Sequence, residues 1–147
     1  MSSQLLRYID VLLVSPWKVA LGEENGYAMS PKRNVQIANP ASFLAQKILI
    51  HGQRDYKDRA KDLLYIHDTI EVFSETLYEL QKLFRNDVAP NLHPRRIAEL
   101  ERAEGTLFEK VTDTIREAAL IAGARKLNPE RLAETSRAGL NEIFGIR

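Results

Sequence analysis

Apolar residues recur every three or four positions from Leu63 to Phe84, and this spacing constrains the fold more than any other feature of the sequence. Side chains at that spacing share one face of an α-helix, whereas a half-buried strand would alternate strictly. The stripe consists of Leu63, Ile66, Ile70, Phe73, Leu77, Leu80 and Phe84. It predicts one long helix that begins after Asp55, a capping residue, and ends near Arg85 with this face buried.

Three further segments carry the signals of helices. Asn39-Pro40 provides a capping residue and then a proline at the first helical position, which predicts a helix over residues 40–51. A second apolar stripe predicts a long helix over residues 93–124. Asn128-Pro129 repeats the capping signal and predicts a last helix that ends near Gly145.

The first 38 residues have a different character. The segment YIDVLLVSPWKVAL, residues 8–21, is rich in β-branched and aromatic residues and is interrupted at Ser15-Pro16, which predicts two short strands around a turn. VQIA, residues 35–38, predicts a third strand. The expected fold class is therefore α+β and predominantly α-helical, with a small N-terminal β element of about three short strands and a bundle of about four helices. So small a strand set needs helices or further strands to cover it.

The composition is that of a folded, soluble protein: 44% of the 147 residues are apolar, 28% are charged, and the net charge is +1. Cysteine is absent from the sequence, which excludes disulfides and thiolate metal sites, and the three histidines lack the spacing of metal ligands. No apolar run is long enough to cross a membrane, and the nearly neutral charge gives no indication of nucleic acid. We expect a cytoplasmic protein.

Three charged residues are predicted to lie at the edge of the helical core. At 100° per residue, Lys47 and Arg54 project within about 20° of each other if the first helix continues that far. Asp62 projects about 40° from the middle of the apolar stripe, whereas Asp68 projects outward. A buried charge is costly unless it is paired, so one interpretation is a structural ion pair of Asp62 with Lys47 or Arg59. In the other interpretation, Asp62 and the two cations converge on an anionic ligand.

The segment VQIANPASFLAQKILIHGQRDYKDRAKDLLYIHDTIEVF, residues 35–73, resembles the part of nucleotidyltransferase-fold proteins that follows the catalytic sheet. That group shows a strand, an Asn-Pro turn, a helix ending in Lys-Leu, an arginine, and Lys-Asp-Leu opening the next helix. The resemblance covers roughly residues 8–75 and extends, more weakly, to toxin-type nucleotidyltransferases of abortive-infection systems. It implies that the nucleotide- or phosphate-binding residues are Lys47, Arg54, Lys61 and Asp62.

The motifs that hold metal ions in that group are missing. Nucleotidyl transfer in this fold uses a Gly-Ser turn for the phosphates and two aspartates spaced Asp-x-Asp for divalent cations, and the sequence contains neither motif. Asp10 is the candidate for a third catalytic carboxylate, with an edge or capping role as the alternative. We therefore expect this chain alone to bind no cofactor. Mg²⁺ and a nucleoside triphosphate are implied only if an upstream segment or a partner supplies the missing half.

Two regions follow from this interpretation. Residues 1–90 form a partial nucleotidyltransferase-like domain of strands and two helices, and residues 91–147 form a C-terminal helical hairpin. The first hypothesis is a nucleotidyltransferase-like protein that is catalytically incomplete on its own and keeps a nucleotide-facing surface. Whether the chain is an enzyme stays open at this point. The alternative is a non-catalytic helical module for dimerisation or partner binding.

The C-terminal region carries a separate prediction about assembly. A straight helix over residues 93–124 would be longer than a compact domain of this size is wide, so part of its apolar stripe would overhang. Soluble monomers rarely expose such a patch. We therefore expect a homodimer through the C-terminal helices, around the stripe residues Leu107, Phe108, Val111 and Ile115.

Overall fold

The computed structural model describes residues 8–28 and 32–145, which form seven α-helices and one two-stranded sheet. The strands are β1 (Trp17–Leu21) and β2 (Arg33–Ile37). The helices are α1 (Ile9–Leu12), α2 (Pro40–Ile50), α3 (Tyr56–Val72), α4 (Leu77–Leu83), α5 (Pro94–Leu107), α6 (Asp113–Ile121) and α7 (Pro129–Phe144). The α+β, predominantly α-helical fold class is confirmed.

The N-terminal β element is smaller than the sequence predicts. The first predicted strand is the short helix α1, because a brief apolar run fits a buried helical turn as well as a strand, and here Val11 is fully buried against the helices. The described residues therefore contain two strands, which pair antiparallel with Trp17 opposite Ile37 and Leu21 opposite Arg33.

The start of α2 is as predicted. The side chain of Asn39 accepts a hydrogen bond from the backbone N–H of Ser42 at 2.8 Å, and Pro40 follows at the first helical position. The amide group of Asn39 also donates to the carbonyl oxygens of Val14 and Ser15, at 2.9 and 3.0 Å. One capping residue thus fixes α2 against the segment that precedes β1.

Both long helices predicted from the apolar stripes are broken. The stripe that was expected to form one helix to Arg85 is divided after Val72 into α3 and α4. The helix predicted over residues 93–124 ends at Leu107, and α6 begins after Thr112, whose side chain accepts from the N–H of Ile115 at 3.3 Å. The break turns Phe108 into the core. Packing in three dimensions therefore decides where these helices end.

The predicted exposed patch of the C-terminal region is part of the core. Phe108 and Ile115 are buried, and Leu107 and Val111 are half-buried against the same cluster. That cluster contains residues of both predicted regions, such as Leu63 and Leu140. The division at residue 90 stays a prediction. Among the described residues, no helix has the length and apolarity that a membrane crossing requires.

Candidate functional site

Asp62 is a buried carboxylate between α2 and α3, with 0% of its surface exposed. The Nζ of Lys47 lies 3.1 Å from its Oδ1, and the Nε of Arg54 donates to its Oδ2 at 3.0 Å. Oδ1 accepts no aligned hydrogen bond, so the lysine contacts it as a charge. The predicted inward orientation of Asp62 is confirmed. One carboxylate holds together α2, the turn after it and α3.

Arg59, the alternative partner of Asp62, secures the turn instead. Its Nε donates to the carbonyl oxygen of Arg54 at 2.7 Å, and its Nη2 donates to that of Gly52 at 3.4 Å. These bonds fix the backbone at the residue whose guanidinium reaches Asp62. Arg59 therefore holds the backbone of the turn between α2 and α3, and the Arg54–Asp62 contact holds its side chain.

The cluster of Lys47, Arg54 and Asp62 carries a surplus positive charge, because two cations share one carboxylate. Asp58 is a further acid nearby, and it reaches Nη2 of Arg54 only at 3.9 Å from a partly exposed position. The side chains of Lys47 and Arg54 are 17% and 22% exposed, so both keep some contact with solvent. The cluster can therefore present fixed positive charge to an anion in solution.

Two aromatic rings border the lysine of this cluster. The Nζ of Lys47 lies 5.5 Å from the ring centre of Phe43, one turn earlier on α2, and 5.9 Å from that of Tyr65 on α3. Tyr65 is exposed. Directly after α3, Phe73 packs edge-on against Trp17 of β1, with ring centres 6.2 Å apart. A positive charge beside exposed aromatic surface is suited to a ligand with both anionic and planar parts.

His51, directly after α2, belongs to the same surroundings. Burial lowers the pKa of its imidazole, the nearby charge of Arg59 lowers it further, and Asp62 opposes the shift. Its Nδ1 is buried and has no hydrogen-bond partner. No role for this histidine follows from the sequence pattern itself, but its position one turn after Lys47 is a signal that places it here.

Lys61 lies outside the cluster. It neighbours Asp62 in sequence, but consecutive residues project about 100° apart on a helix, and Lys61 is exposed. Its predicted contact with nucleotide has no support from this geometry and stays a prediction.

Asp10 occupies a different part of the molecule. It lies on α1 instead of a strand, and its carboxylate accepts a hydrogen bond from Arg96 near the start of α5. Arg96 in turn stacks on Tyr8, 5.0 Å from the ring centre. These residues and His93 line an open cleft of about 870 Å³. This partly exposed ion pair joins α1 to α5.

The described residues offer no ligand set for a metal ion, since no group of three or more His, Cys, Asp or Glu side chains converges there. Nucleotidyl transfer of the kind implied by the sequence requires divalent cations at closely spaced carboxylates. The described part of the chain therefore does not fit that requirement.

A family model described as nucleotidyltransferase matches residues 1–88, which is more than half of the chain. The match includes α2, α3 and the whole cluster around Asp62, whereas α5, α6 and α7 lie beyond it. No curated protein and no solved structure matches the sequence.

Proposed function

The chain belongs to a nucleotidyltransferase family, and we propose that Lys47 and Arg54, the two cations of the cluster around Asp62, bind the phosphate groups of a nucleotide. We also propose that the chain does not complete nucleotidyl transfer on its own. The observation that carries the proposal is the pair of cations, Lys47 and Arg54, which are fixed on one buried carboxylate and whose side chains are partly exposed. Phosphate recognition needs positive charge on rigid elements, and α2 and α3 are rigid helices braced by Asp62.

Each residue of the cluster, together with the neighbouring Tyr65, has a separate role in this proposal. Lys47 contacts phosphate as a compact charge, and Arg54 offers the N–H groups that Asp62 does not engage. Asp62 is a positioning residue, since it is buried and holds both cations. Tyr65 offers an exposed ring to the base or the ribose.

The proposed incompleteness rests on the missing carboxylates. The sequence has no Asp-x-Asp and no Gly-Ser, and the described residues bring no three metal-binding side chains together. We propose that a partner polypeptide supplies the metal-binding half. The transferred group, the acceptor and the metal ions would then belong to the completed assembly.

Calorimetric titration of ATP and of inorganic tripolyphosphate, without divalent metal, tests the binding proposal. We expect both ligands to bind with Kd below about 1 mM and Lys47→Met to weaken them about tenfold. Lys82→Met is the matched control, because the Nζ of Lys82 also lies over a ring, 4.4 Å from the centre of Tyr78, but on α4. A wild-type chain that binds neither ligand contradicts the proposal, as does an equal loss in both variants.

We also propose a homodimer through the C-terminal helices, but through other residues than the sequence indicates. The apolar stripe first assigned to it is core, whereas Leu120 at the end of α6 is 74% exposed beside Ile121, which is also exposed. We expect concentration-dependent light scattering by the wild type that Leu120→Glu abolishes. A wild-type chain that remains monomeric at about 100 μM contradicts this proposal.

A further inference from the structure

The β1–β2 hairpin lies largely outside the helical core. Trp17 packs against Phe73, and the carbonyl oxygen of Ser15, just before β1, accepts from Asn39. Along the strands themselves no residue is buried. Trp17 and Ile37 face each other across the ladder, yet they are 39% and 45% exposed. An isolated hairpin of this kind is marginally stable in water, and its exposed apolar face indicates an interaction surface.

Among the described residues no third strand pairs with the outer edge of β2, so half of the backbone groups of this strand face outward. Proteins usually protect such an edge with proline, lysine or a bulge. β2 contains no proline, and Arg33 at its start is its single charged residue. The remaining positions, Asn34 to Ile37, are uncharged.

The charges of the hairpin strands have one sign. Lys18 in β1 and Arg33 in β2 are both exposed, and neither forms an ion pair with a described residue. Because side chains alternate along a strand, Arg33, Val35 and Ile37 share one face. A strand added beside β2 would place two apolar residues next to Val35 and Ile37 and a third residue next to Arg33. Complementarity favours an acidic residue at that third place.

We propose that the outer edge of β2 binds an extended segment of another polypeptide, which adds a third strand and presents two apolar residues and one acidic residue on the face that Val35, Ile37 and Arg33 share. Backbone hydrogen bonds along the edge hold such a segment, and Arg33 selects its charge. A second copy of the hairpin is a poorer occupant, because neither strand contains a carboxylate to pair with Arg33. This inference goes beyond the proposed function, since it involves neither nucleotide nor Lys47.

Fluorescence anisotropy with synthetic peptides tests the inference on the full chain. The probes are a short, capped, labelled peptide with Val, Val and Glu at three alternate positions separated by Thr, and its counterpart with Lys in place of Glu. We expect the acidic peptide to bind with Kd below about 1 mM and at least about tenfold more tightly than the basic one. Arg33→Glu reverses that preference. Arg85→Glu, at an exposed arginine far along the chain from the hairpin, leaves it unchanged.

Amide hydrogen exchange locates the contact. Saturation with the acidic peptide is expected to protect residues 33–37 and to leave α5 and α6 unchanged. Equal affinity for the two peptides, no binding at about 1 mM, or protection confined to other elements overturns the inference. Self-association that protects β2 without any peptide also overturns it, because the occupant would then be a second copy. Nucleotide is absent from these assays, so their failure leaves the proposed nucleotide surface untouched.

Discussion

The ammonium group of Lys47 lies 3.1 Å from Oδ1 of Asp62, and this ion pair joins α2 to α3 at the point where each helix contributes an aromatic ring. The carboxylate is buried, whereas the lysine side chain is partly exposed. One contact therefore stabilises the helix pair and also fixes the direction of a surface charge. The structural and functional interpretations of Asp62 are compatible, because a positioning residue must itself be held.

Removal of the Asp62 charge is expected to destabilise the fold. Asp62→Asn leaves Lys47 and Arg54 without their buried carboxylate, and we expect a loss of about 2–4 kcal/mol in the free energy of unfolding, since both cations keep some contact with water. Asp58→Asn is the matched control, because Asp58 faces the same Arg54 from a partly exposed position and should cost less than about 1 kcal/mol. Urea unfolding measures both. Equal, small losses would contradict the inward role of Asp62.

His51 should make stability depend on pH near neutrality. Its pKa is lowered in the fold by burial and by Arg59, so the folded chain favours neutral imidazole. As pH falls through the ordinary value of 6.5, the unfolded chain takes up the proton first, and this stability is lost down to the lowered folded pKa. His51→Asn should therefore flatten the decline in unfolding free energy between about pH 7 and pH 5. An unchanged slope would contradict this assignment.

The packing of α7 on α3 can be tested at a glycine. A Cβ at Gly139 would overlap the side chain of Ile70, so Gly139→Ala is expected to cost about 1–3 kcal/mol through overpacking. Gly105, within α5, has open space around it. Gly105→Ala should instead gain about 0.5–1 kcal/mol from helix propensity. Thermal or urea unfolding that gives the two variants the same sign of effect would show that α7 packs differently.

Transfer activity is expected to be absent from the isolated chain. With ATP labelled at the α-phosphate and either Mg²⁺ or Mn²⁺, we expect no label on any acceptor hydroxyl, because the paired carboxylates that would hold the metal ions are missing. Label incorporation that disappears in Asp10→Ala would instead show that the cleft at Tyr8 and Arg96 is a working metal site.

Local signals explain what could be predicted from the sequence. The start of α2 depends on Asn39 and Pro40, which act within one helical turn, and both behave as predicted. The inward orientation of Asp62 follows from helical periodicity alone, and this signal, like the capping signal, does not depend on the rest of the chain. For these reasons the fold class and the proximity of Lys47, Arg54 and Asp62 could be predicted from the sequence.

Long-range packing explains what could not be predicted. The apolar stripe continues through the break after Val72, and the break before α6 has no proline to mark it. Burial of Phe108 in the core decides the second break, and this contact does not appear in the local pattern. Asp10 illustrates the same limit, since its partner Arg96 lies 86 positions away. The local sequence pattern therefore could not predict this ion pair.

Backbone amide NMR during an ATP titration tests whether nucleotide phosphates bind at Lys47 and Arg54. We expect saturable shifts at Lys47, Arg54 and Tyr65, with little change at Lys82. Tripolyphosphate should shift the two cations but move Tyr65 less, because that ligand has no ring. Shifts centred on His93 and Arg96, or no saturable shifts at all, would rule out phosphate binding at Lys47 and Arg54.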